Sequence, residues 1–485
     1  MVKHSQGSTK NVFAIAAMAP ALLTGIFSTQ TAQASSTTDI HYCNDLLTRA
    51  EPGQDMVRVG DMRLKASALR NYRDKLSSPT STRAAIHPWT ATWPGGVVPY
   101  AYEASVSSAH RVEFEAALRQ WQLVANLKFV PRTTEVDYIT VASGYDGNWS
   151  WVGKVGGAQE LHIQQWSDTG IGSQAKYLIC HEIGHALGFI HEQSREDRDN
   201  YVAIHSENVD TETFGPDAVY NFDIVPGSLN QGAYDFDSVM HYRKDTFAQV
   251  GAVTIEAQPA YSGYQDVMGQ LNHLSALDKS GMAKIYGAAR VISGYVRTDS
   301  GVALSGTTLR IAASSPYRAA NPVLNATNGS YAFKGLPSDT HTVTATKTGF
   351  FMLPSVQSVS IAQANKTAID FIALQGTRIS GRITKSGVGV PGVAVTSRNL
   401  ATGALVTVMT SKQGYYGFSN VPTGAGVSYR IEPSKTGYSF STTTVMPLNE
   451  STPTNYDNVN FTGAVVPATR STEYAIGPSG TAVAL

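Results

Sequence analysis

The sequence predicts an α+β domain over residues 84–288, followed by two all-β sandwich domains over residues 291–374 and 378–463. Three observations predict this architecture. Strand-like and helix-like hydrophobic periods follow one another from Ala84 onward. A histidine-rich helical segment lies in the middle of that stretch, and an internal repeat begins at Ile292. A chain of 485 residues is also too long for one ordinary domain, so several units are expected.

The composition is that of a globular protein with a sizeable core. Hydrophobic residues make up 42% of the chain and charged residues 15%, which excludes a disordered protein. Lys+Arg and Asp+Glu are both 37, so the formal charge is zero. A neutral chain argues against nucleic acid or an anionic membrane as the main partner.

Residues 1–34 are predicted to be a secretory signal peptide, which implies a secreted, extracellular protein. Lys3 and Lys10 supply the positive start, residues 12–27 the apolar stretch, and Ala32 and Ala34 the small residues of a cleavage site. The alternative is a short membrane anchor. It is disfavoured because the apolar run is short for a membrane span and ends in a cleavable motif.

Residues 35–83 are polar and weakly patterned, and they end in the Ser/Thr/Pro-rich stretch SSPTSTR. This is typical of a pro-segment with a basic processing site at its end. A plain N-terminal extension explains the composition equally well.

The α+β domain begins with a strand at GGVVPYAY, where residues alternate in character. Apolar residues at helical spacing then predict one long helix over residues 105–126, with Ser105 or Ser107 as its N-cap. The segments LKFVPR and DYITVAS follow as strands.

The C-terminal part contains two copies of one domain. Matching segments begin at Ile292 and Ile379, and all equivalent positions lie 85 to 88 residues apart. Short strands separated by Gly, Pro and Asn turns predict a β-sandwich for each copy. A Gly-x-Tyr-x-Phe pattern occurs in both copies, as Gly329, Tyr331 and Phe333 and as Gly414, Tyr416 and Phe418. Its aromatic residues are predicted to pack in the core rather than form a sugar-stacking surface. Residues 464–485 show no clear pattern and predict a flexible tail.

The segment HEIGHALGFIHEQSRED, residues 181–197, predicts a zinc site. His181 and His185 lie four apart, so they point from one face of a helix and can bind one metal ion. Gly188 tolerates the positive φ at which the helix breaks, and His191 then reaches the same ion. Three imidazoles with an open fourth position are typical of a catalytic site, with one Zn²⁺ per chain.

Glu182 follows the first ligand and reaches a water molecule held by the zinc without binding the metal itself. Zinc lowers the pKa of such a water to about 7, and Glu182 would pass its proton to a leaving amine. The alternative is a solvated helix with incidental histidines. That alternative does not explain the apolar residues Ile183, Ala186 and Leu187, which indicate that the helix has one face in the core.

The histidine motif continues into HEQSREDRDNYV and is followed by SVMHY, residues 238–242. Together these segments resemble the astacin family of metzincin zinc peptidases over residues 84–286, and the two repeats resemble carboxypeptidase regulatory-like β-sandwich modules. The resemblance implies a mixed sheet with long helices and an active-site cleft. It also implies a secreted zinc-dependent endopeptidase that hydrolyses peptide bonds of extracellular proteins.

The resemblance assigns roles to single residues. His181, His185 and His191 would bind zinc, and Glu182 would be the general base. Tyr242 would be a further zinc ligand that swings away to stabilise the oxyanion. Structural support would come from Gly188, from Met240 in the turn beneath the zinc, and from Glu192, which would receive a new amino terminus at Ala84. His162, His205, His241 and His273 are assigned structural roles.

Latency has three hypotheses. In astacins an acidic residue of a Gly-Asp motif in the pro-segment blocks the zinc, and VRVGDMRL offers Gly60 and Asp61 at a suitable place. Asp61 is equally typical of an ordinary turn. Alternatively, Cys43 supplies a thiolate to the zinc or pairs with Cys180.

Two features depart from the astacin pattern. Astacins usually have two disulfides in the catalytic domain, whereas the only cysteines here are Cys43 and Cys180, so stability is expected to come from packing. Leu271 stands where many relatives carry an arginine that favours acidic residues after the scissile bond, so that preference is not expected.

The alternative function is a surface or matrix adhesion protein whose C-terminal repeats bind the partner, such as a matrix protein or polysaccharide. An intact Glu182 beside three intact ligands favours the peptidase, with a protein or peptide as substrate.

Overall fold

A computed structural model describes most of the chain. The described residues are 28–50, 52–77, 91–228, 232–313, 324–362, 364–424, 426–441, 443–448, 455–466, 474–476 and 482–484. Most of the predicted signal peptide, residues 1–27, and the predicted processing site at residue 83 lie outside them. Within the described ranges, no helix combines the length and the apolar character that a bilayer crossing requires.

The region predicted to be a pro-segment folds into two helices and a β-hairpin: α1 (Ser28–Thr48), β1 (Met56–Val59), β2 (Met62–Lys65) and α2 (Ala66–Leu76). Buried apolar residues such as Leu46, Val57, Leu64 and Leu69 form a core between them. The sequence did not predict the two strands, because strands of four residues are too short for alternation to stand out. Helix α1 begins at Ser28, before the predicted signal cleavage site.

Within its described residues, 91–228 and 232–288, the α+β domain has seven strands and four α-helices. The strands are β3 (Val97–Tyr102), β4 (Lys128–Pro131), β5 (Tyr138–Ser143), β6 (Trp149–Trp151), β7 (Ala158–Ile163), β8 (Val202–Ile204) and β9 (Ile255–Ala257). The helices are α3 (Ser108–Gln122), α4 (Ala175–Ala186), α5 (Thr211–Phe214) and α6 (Ala276–Tyr286).

One seven-stranded sheet joins the pro-segment to the α+β domain, in the order β1-β2-β6-β7-β5-β3-β4. Strands β3, β4, β5 and β7 run parallel, β6 is antiparallel to β7, and β2 adds parallel to β6. The predicted mixed sheet is therefore confirmed. In the absence of the pro-segment, β6 would be an edge strand.

Helices α3 and α4 pack against each other in the main core. The Ser107 side chain caps α3 by accepting a hydrogen bond from the His110 N–H, as the sequence allowed. Phe114 and Trp121 of α3 are fully buried, and the Trp121 indole donates to the Cys180 carbonyl at 2.9 Å. Because α3 fixes the middle of α4 in this way, the face of α4 that carries the histidines is held in one orientation.

The chain beyond the α+β domain is all-β where the structure describes it, which confirms the predicted change of fold class. The first repeat contains β10 (Arg290–Thr298), β11 (Thr308–Ala313), β12 (Ser330–Leu336), β13 (Thr340–Thr346), β14 (Phe351–Leu353), β15 (Val356–Ser360) and β16 (Phe371–Leu374). Its two sheets have the orders β12-β10-β16-β14 and β11-β13-β15.

The second repeat contains β17 (Ile379–Lys385), β18 (Val388–Gly389), β19 (Ala394–Asn399), β20 (Leu405–Met409), β21 (Tyr415–Phe418), β22 (Val427–Ser434), β23 (Tyr438–Phe440), β24 (Thr444–Leu448) and β25 (Phe461–Val465). In each repeat the first strand pairs in parallel with the last, β10 with β16 and β17 with β25. The aromatic side chains Tyr331, Phe333, Tyr416 and Phe418 are all buried. Beyond the second repeat, β26 (Tyr474–Ile476) and β27 (Ala482–Ala484) pair antiparallel.

Candidate metal centre

The histidine motif occupies the second half of α4 and the chain just beyond it. The helix ends at Ala186, and Gly188 has a φ of +110°, a conformation that favours glycine. The Phe189 N–H donates to the Gly184 carbonyl at 2.9 Å, which closes the helix end. The chain then turns back, so that His191 lies beside His181 and His185.

The three imidazoles converge on one point together with a carboxylate of the pro-segment. The Nε2 atom of His181 lies 3.0 Å from that of His185 and 3.2 Å from that of His191. Asp61 places its carboxylate oxygens 2.7 Å from His191, 3.3 Å from His185 and 3.4 Å from His181. These four residues form a group of potential metal ligands within 4.8 Å of one another, in which the three histidines are buried and Asp61 is half-buried.

Backbone carbonyls orient two of the rings. The His181 Nδ1 lies 2.7 Å from the Val239 carbonyl, and the His185 Nδ1 lies 2.9 Å from the Phe189 carbonyl. Since a carbonyl can only accept, each Nδ1 carries the proton and each Nε2 presents a lone pair. Lone pairs that face each other at about 3 Å repel unless a cation lies between them.

The arrangement fits a zinc ion. Ligand atoms about 2.1 Å from a tetrahedral zinc lie roughly 3.4 Å from each other. The observed separations of 3.0 and 3.2 Å between Nε2 atoms approach that value, and the Asp61 carboxylate lies 2.7 to 3.4 Å from the three imidazoles. Burial lowers the pKa of His191 to about 4, which keeps its imidazole neutral. The donor set is therefore three imidazoles and one carboxylate.

Glu182 is buried beside this group. Its Oε2 has no hydrogen-bond partner among the residues that the structure describes. Burial, reinforced by the charge of Asp61, raises the pKa of Glu182 well above its usual value. Burial acts to raise the pKa of Asp61, but the three surrounding imidazoles act more strongly in the opposite direction, and the pKa of Asp61 is well below its usual value.

Residues 238–242 form the floor of the site. Met240 is buried against Gly184, where an added Cβ would lie 2.7 Å from the methionine sulfur. Met240 therefore packs on α4 between the two helical histidines. The sequence did not identify what holds this turn: Asp278, at the start of α6, accepts from the Ser238 hydroxyl at 2.6 Å and the Val239 N–H at 3.0 Å.

Asp278 therefore acts on the metal centre through Val239, whose carbonyl orients His181. We expect Asp278→Asn to weaken zinc binding about 10- to 100-fold, because an amide nitrogen cannot accept the hydrogen bonds that fix this turn. The measurement is a zinc dissociation constant from competition with a chromogenic chelator. Asp237→Asn, at an exposed carboxylate that contacts His273 at 2.9 Å, is the matched control. Equal zinc affinity in Asp278→Asn and the unmodified chain would contradict the assignment.

Tyr242 lies beside the metal centre, with its ring centroid 4.4 Å from that of His191. Gln193 fixes its backbone by accepting from the Tyr242 N–H at 3.0 Å, a contact that sequence spacing did not indicate. Burial raises the pKa of Tyr242 well above its usual value, against a hydrogen bond from the Asp61 backbone that lowers it. Its role as a further zinc ligand remains a prediction.

Glu192 lies behind the histidines, where Arg195 donates to it at 2.7 Å and the Asp235 N–H at 2.9 Å. Burial raises the pKa of Glu192 to about 7, although Arg195 opposes the shift. A cavity of about 70 Å³ adjoins it, lined also by Asp235, Ser238 and Asp278. This cavity is suited to a small cationic group.

The β1–β2 turn delivers Asp61 to the histidines. Gly60 has a φ of +65°, and a Cβ there would lie 2.5 Å from the Tyr242 hydroxyl, so only glycine fits this close approach. Neither cysteine takes part in the metal centre. Cys43 and Cys180 are both buried and unpaired, and burial raises the pKa of the Cys43 thiol to about 12.

The metal centre opens into a cleft of about 1040 Å³. His181, Glu182 and Tyr242 line this cleft. Leu271, which stands where many astacins carry an arginine, lines it as well. The pro-segment contributes Arg58, Gly60 and Asp61 to the same cleft. The hairpin thus occupies part of the space that the cleft offers to a ligand.

The part of the chain that matches known proteins coincides with the α+β domain. Residues 85–287 match the family model described as Astacin, a peptidase family. Tolloid-like protein 1 of Homo sapiens is 35% identical over 209 residues, which are 42% of this chain and 20% of that protein. Astacin-like metalloendopeptidase of Gallus gallus is 36% identical over 219 residues, 44% of this chain and 50% of that protein.

Among solved structures, high choriolytic enzyme 1, a hatching enzyme zinc-protease from Oryzias latipes, is 34% identical to the matched part of the chain. The match covers 41% of this chain and 93% of that one, with a TM-score of 0.35. The chain spans between a fifth and a half of the length of the curated relatives it matches.

Proposed function

The domain at residues 85–287 belongs to the astacin family of peptidases, and from this premise we propose that the chain is a secreted zinc-dependent endopeptidase made as an inactive precursor. The observation that supports the activity best is the convergence of three imidazole Nε2 atoms beside the buried, unpaired Glu182 Oε2. The adhesion alternative is not favoured, because the base and all three ligand positions are intact.

The residues divide the chemistry between them. His181, His185 and His191 would hold one zinc ion, which when bound polarises the scissile carbonyl and lowers the pKa of water at the site. Glu182 would accept the proton of the attacking water and deliver it to the leaving amine. Tyr242 would donate a hydrogen bond to the oxygen on which negative charge develops, and its raised pKa keeps the hydroxyl protonated for this purpose.

Zinc removal tests this function directly. We expect one zinc per chain by metal analysis and hydrolysis of casein or gelatin by the processed form. A chelator should abolish the hydrolysis, and added zinc should restore it, because three neutral imidazoles bind the ion reversibly. Hydrolysis that persists in metal-free protein would reject the proposal.

Latency follows from the position of Asp61. Its carboxylate lies within 2.7 to 3.4 Å of all three imidazoles, so it would take the position that the substrate and water need. The Cys43 hypothesis has less support, because Cys43 is buried in the core of the pro-segment and its thiol pKa of about 12 disfavours the thiolate.

The cavity beside Glu192 supports a role in the processed form. A new amino terminus at Ala84 would carry a positive charge, which the Glu192 carboxylate would bind within the 70 Å³ cavity. We expect N-terminal sequencing of the purified active form to read Ala84-Ala85-Ile86. A start many residues away would reject this part of the proposal, because the terminus would no longer match the family's position.

A further inference from the structure

The pro-segment contacts the catalytic domain at several places besides Asp61. Strand β2 extends the catalytic sheet at β6, where the Ser150 N–H donates to the Asp61 carbonyl and the Val152 N–H donates to the Arg63 carbonyl, both at 3.0 Å. Farther along, the Lys65 ammonium donates to the Val155 carbonyl at 3.0 Å. These backbone contacts do not involve the histidines.

A shared apolar cluster lies beneath this sheet extension. Val152 and Val225 of the catalytic domain are fully buried in it, and Ile190 packs against it. The pro-segment contributes most of its members: Cys43, Leu46, Val57, Val59, Met62, Leu64, Ala66, Leu69 and Tyr72. The hairpin is therefore packed both against its own two helices and against the catalytic domain through one continuous apolar cluster.

A cation fixes the other side of the interface. Arg49, at the end of α1, lies 2.5 Å from the Asp223 carboxylate, and its guanidinium stacks over the Tyr220 ring at 4.1 Å. Arg63 stacks over the Trp149 ring at 4.4 Å. The side chains of Arg49 and Arg63 are both partly shielded from water, and electrostatic interactions are stronger away from water.

From these contacts we infer that the severed pro-segment stays bound to the catalytic domain as a separate inhibitory subunit. A cut between the two parts removes one covalent connection and none of the interface described above. Exposure of the metal centre would then need a second event, in which the bound pro-segment is itself degraded or diluted away. That the bound pro-segment inhibits the enzyme rests on the proposed function. That it stays bound rests only on the contacts described above.

The test uses the full chain with Glu182→Gln, which prevents self-digestion. A recognition sequence for a site-specific protease is placed within residues 78–83, outside the described contacts. After complete cutting, we expect the pro-segment to co-elute with the remaining chain in size-exclusion chromatography, both with zinc and after chelation. Separate elution in either condition overturns the inference, and separation only after chelation would show that the metal alone holds the pro-segment.

Two further variants of the cut chain measure the role of the Arg49 contact. Arg49→Met removes the ion pair and the stacking on Tyr220, so release of the pro-segment should be about tenfold faster. Arg70→Met is the matched control, because Arg70 is exposed on α2 and pairs with Asp55 of the pro-segment itself, at 3.8 Å. Equal release rates in the two variants would overturn the assigned interface. Co-elution and the rate of release can both be measured without peptidase activity. Failure of this inference is therefore distinguishable from failure of the proposed function.

Discussion

Replacing Glu182 with Gln is expected to lower casein hydrolysis by the processed form about 10²- to 10⁴-fold, the usual contribution of a general base. Gln has nearly the same shape as Glu but cannot accept a proton, and Glu182 is buried with one carboxylate oxygen unpaired. The measurement is the initial rate of hydrolysis at saturating zinc, together with the zinc content of the same sample.

The zinc content should not change in this variant, because Glu182 is not among the four residues whose ligand atoms converge. Glu160→Gln, at a partly buried carboxylate on β7, is the matched control and should leave the rate unchanged. Full hydrolysis by a zinc-loaded Glu182→Gln protein would reject Glu182 as the base.

The second large effect concerns the uncut chain, in which Asp61→Asn should raise basal hydrolysis about 10²-fold. Loss of one partner from a buried charged group typically costs about 3 kcal/mol, and each 1.4 kcal/mol changes the ratio of blocked to open molecules tenfold. The rate should still remain below that of the processed form, because the β2–β6 pairing and the Arg49 contacts keep the hairpin in place.

The rate is measured on protein whose intact mass shows that no processing has occurred. Asp74→Asn, at an exposed carboxylate on α2, is the matched control and should remain latent. Cys43→Ser should remain latent as well, which separates the carboxylate hypothesis from the thiolate one. Latency that survives in Asp61→Asn and disappears in Cys43→Ser would reverse the assignment.

Local rules were enough to predict much of the metal centre. The four-residue spacing of His181 and His185 places both on one helix face, and Gly188 allows the break that returns His191 to them. These relations depend only on helix geometry and on the conformational freedom of glycine. The N-cap at Ser107 and the strands β3 to β5 followed from equally local patterns.

The remaining parts of the centre depend on contacts between distant segments. Asp278 reaches Val239 across 39 residues, and the Val239 carbonyl reaches His181 across 58. Nothing in the spacing of Gln193 indicates that it holds the backbone of Tyr242. The pro-segment fold was also missed, because its short strands become recognisable only when β6 and the shared apolar cluster are present beside them.

The strand pairing within each C-terminal repeat determines how a pulling force would travel through the protein. Because the first and last strands are parallel neighbours, the chain enters a repeat at one end and leaves it at the other. Tension along the polypeptide would therefore slide β10 against β16, and β17 against β25, and load their hydrogen bonds together instead of opening them one by one. We therefore expect each module to resist unravelling at its first strand when tension is applied along the chain.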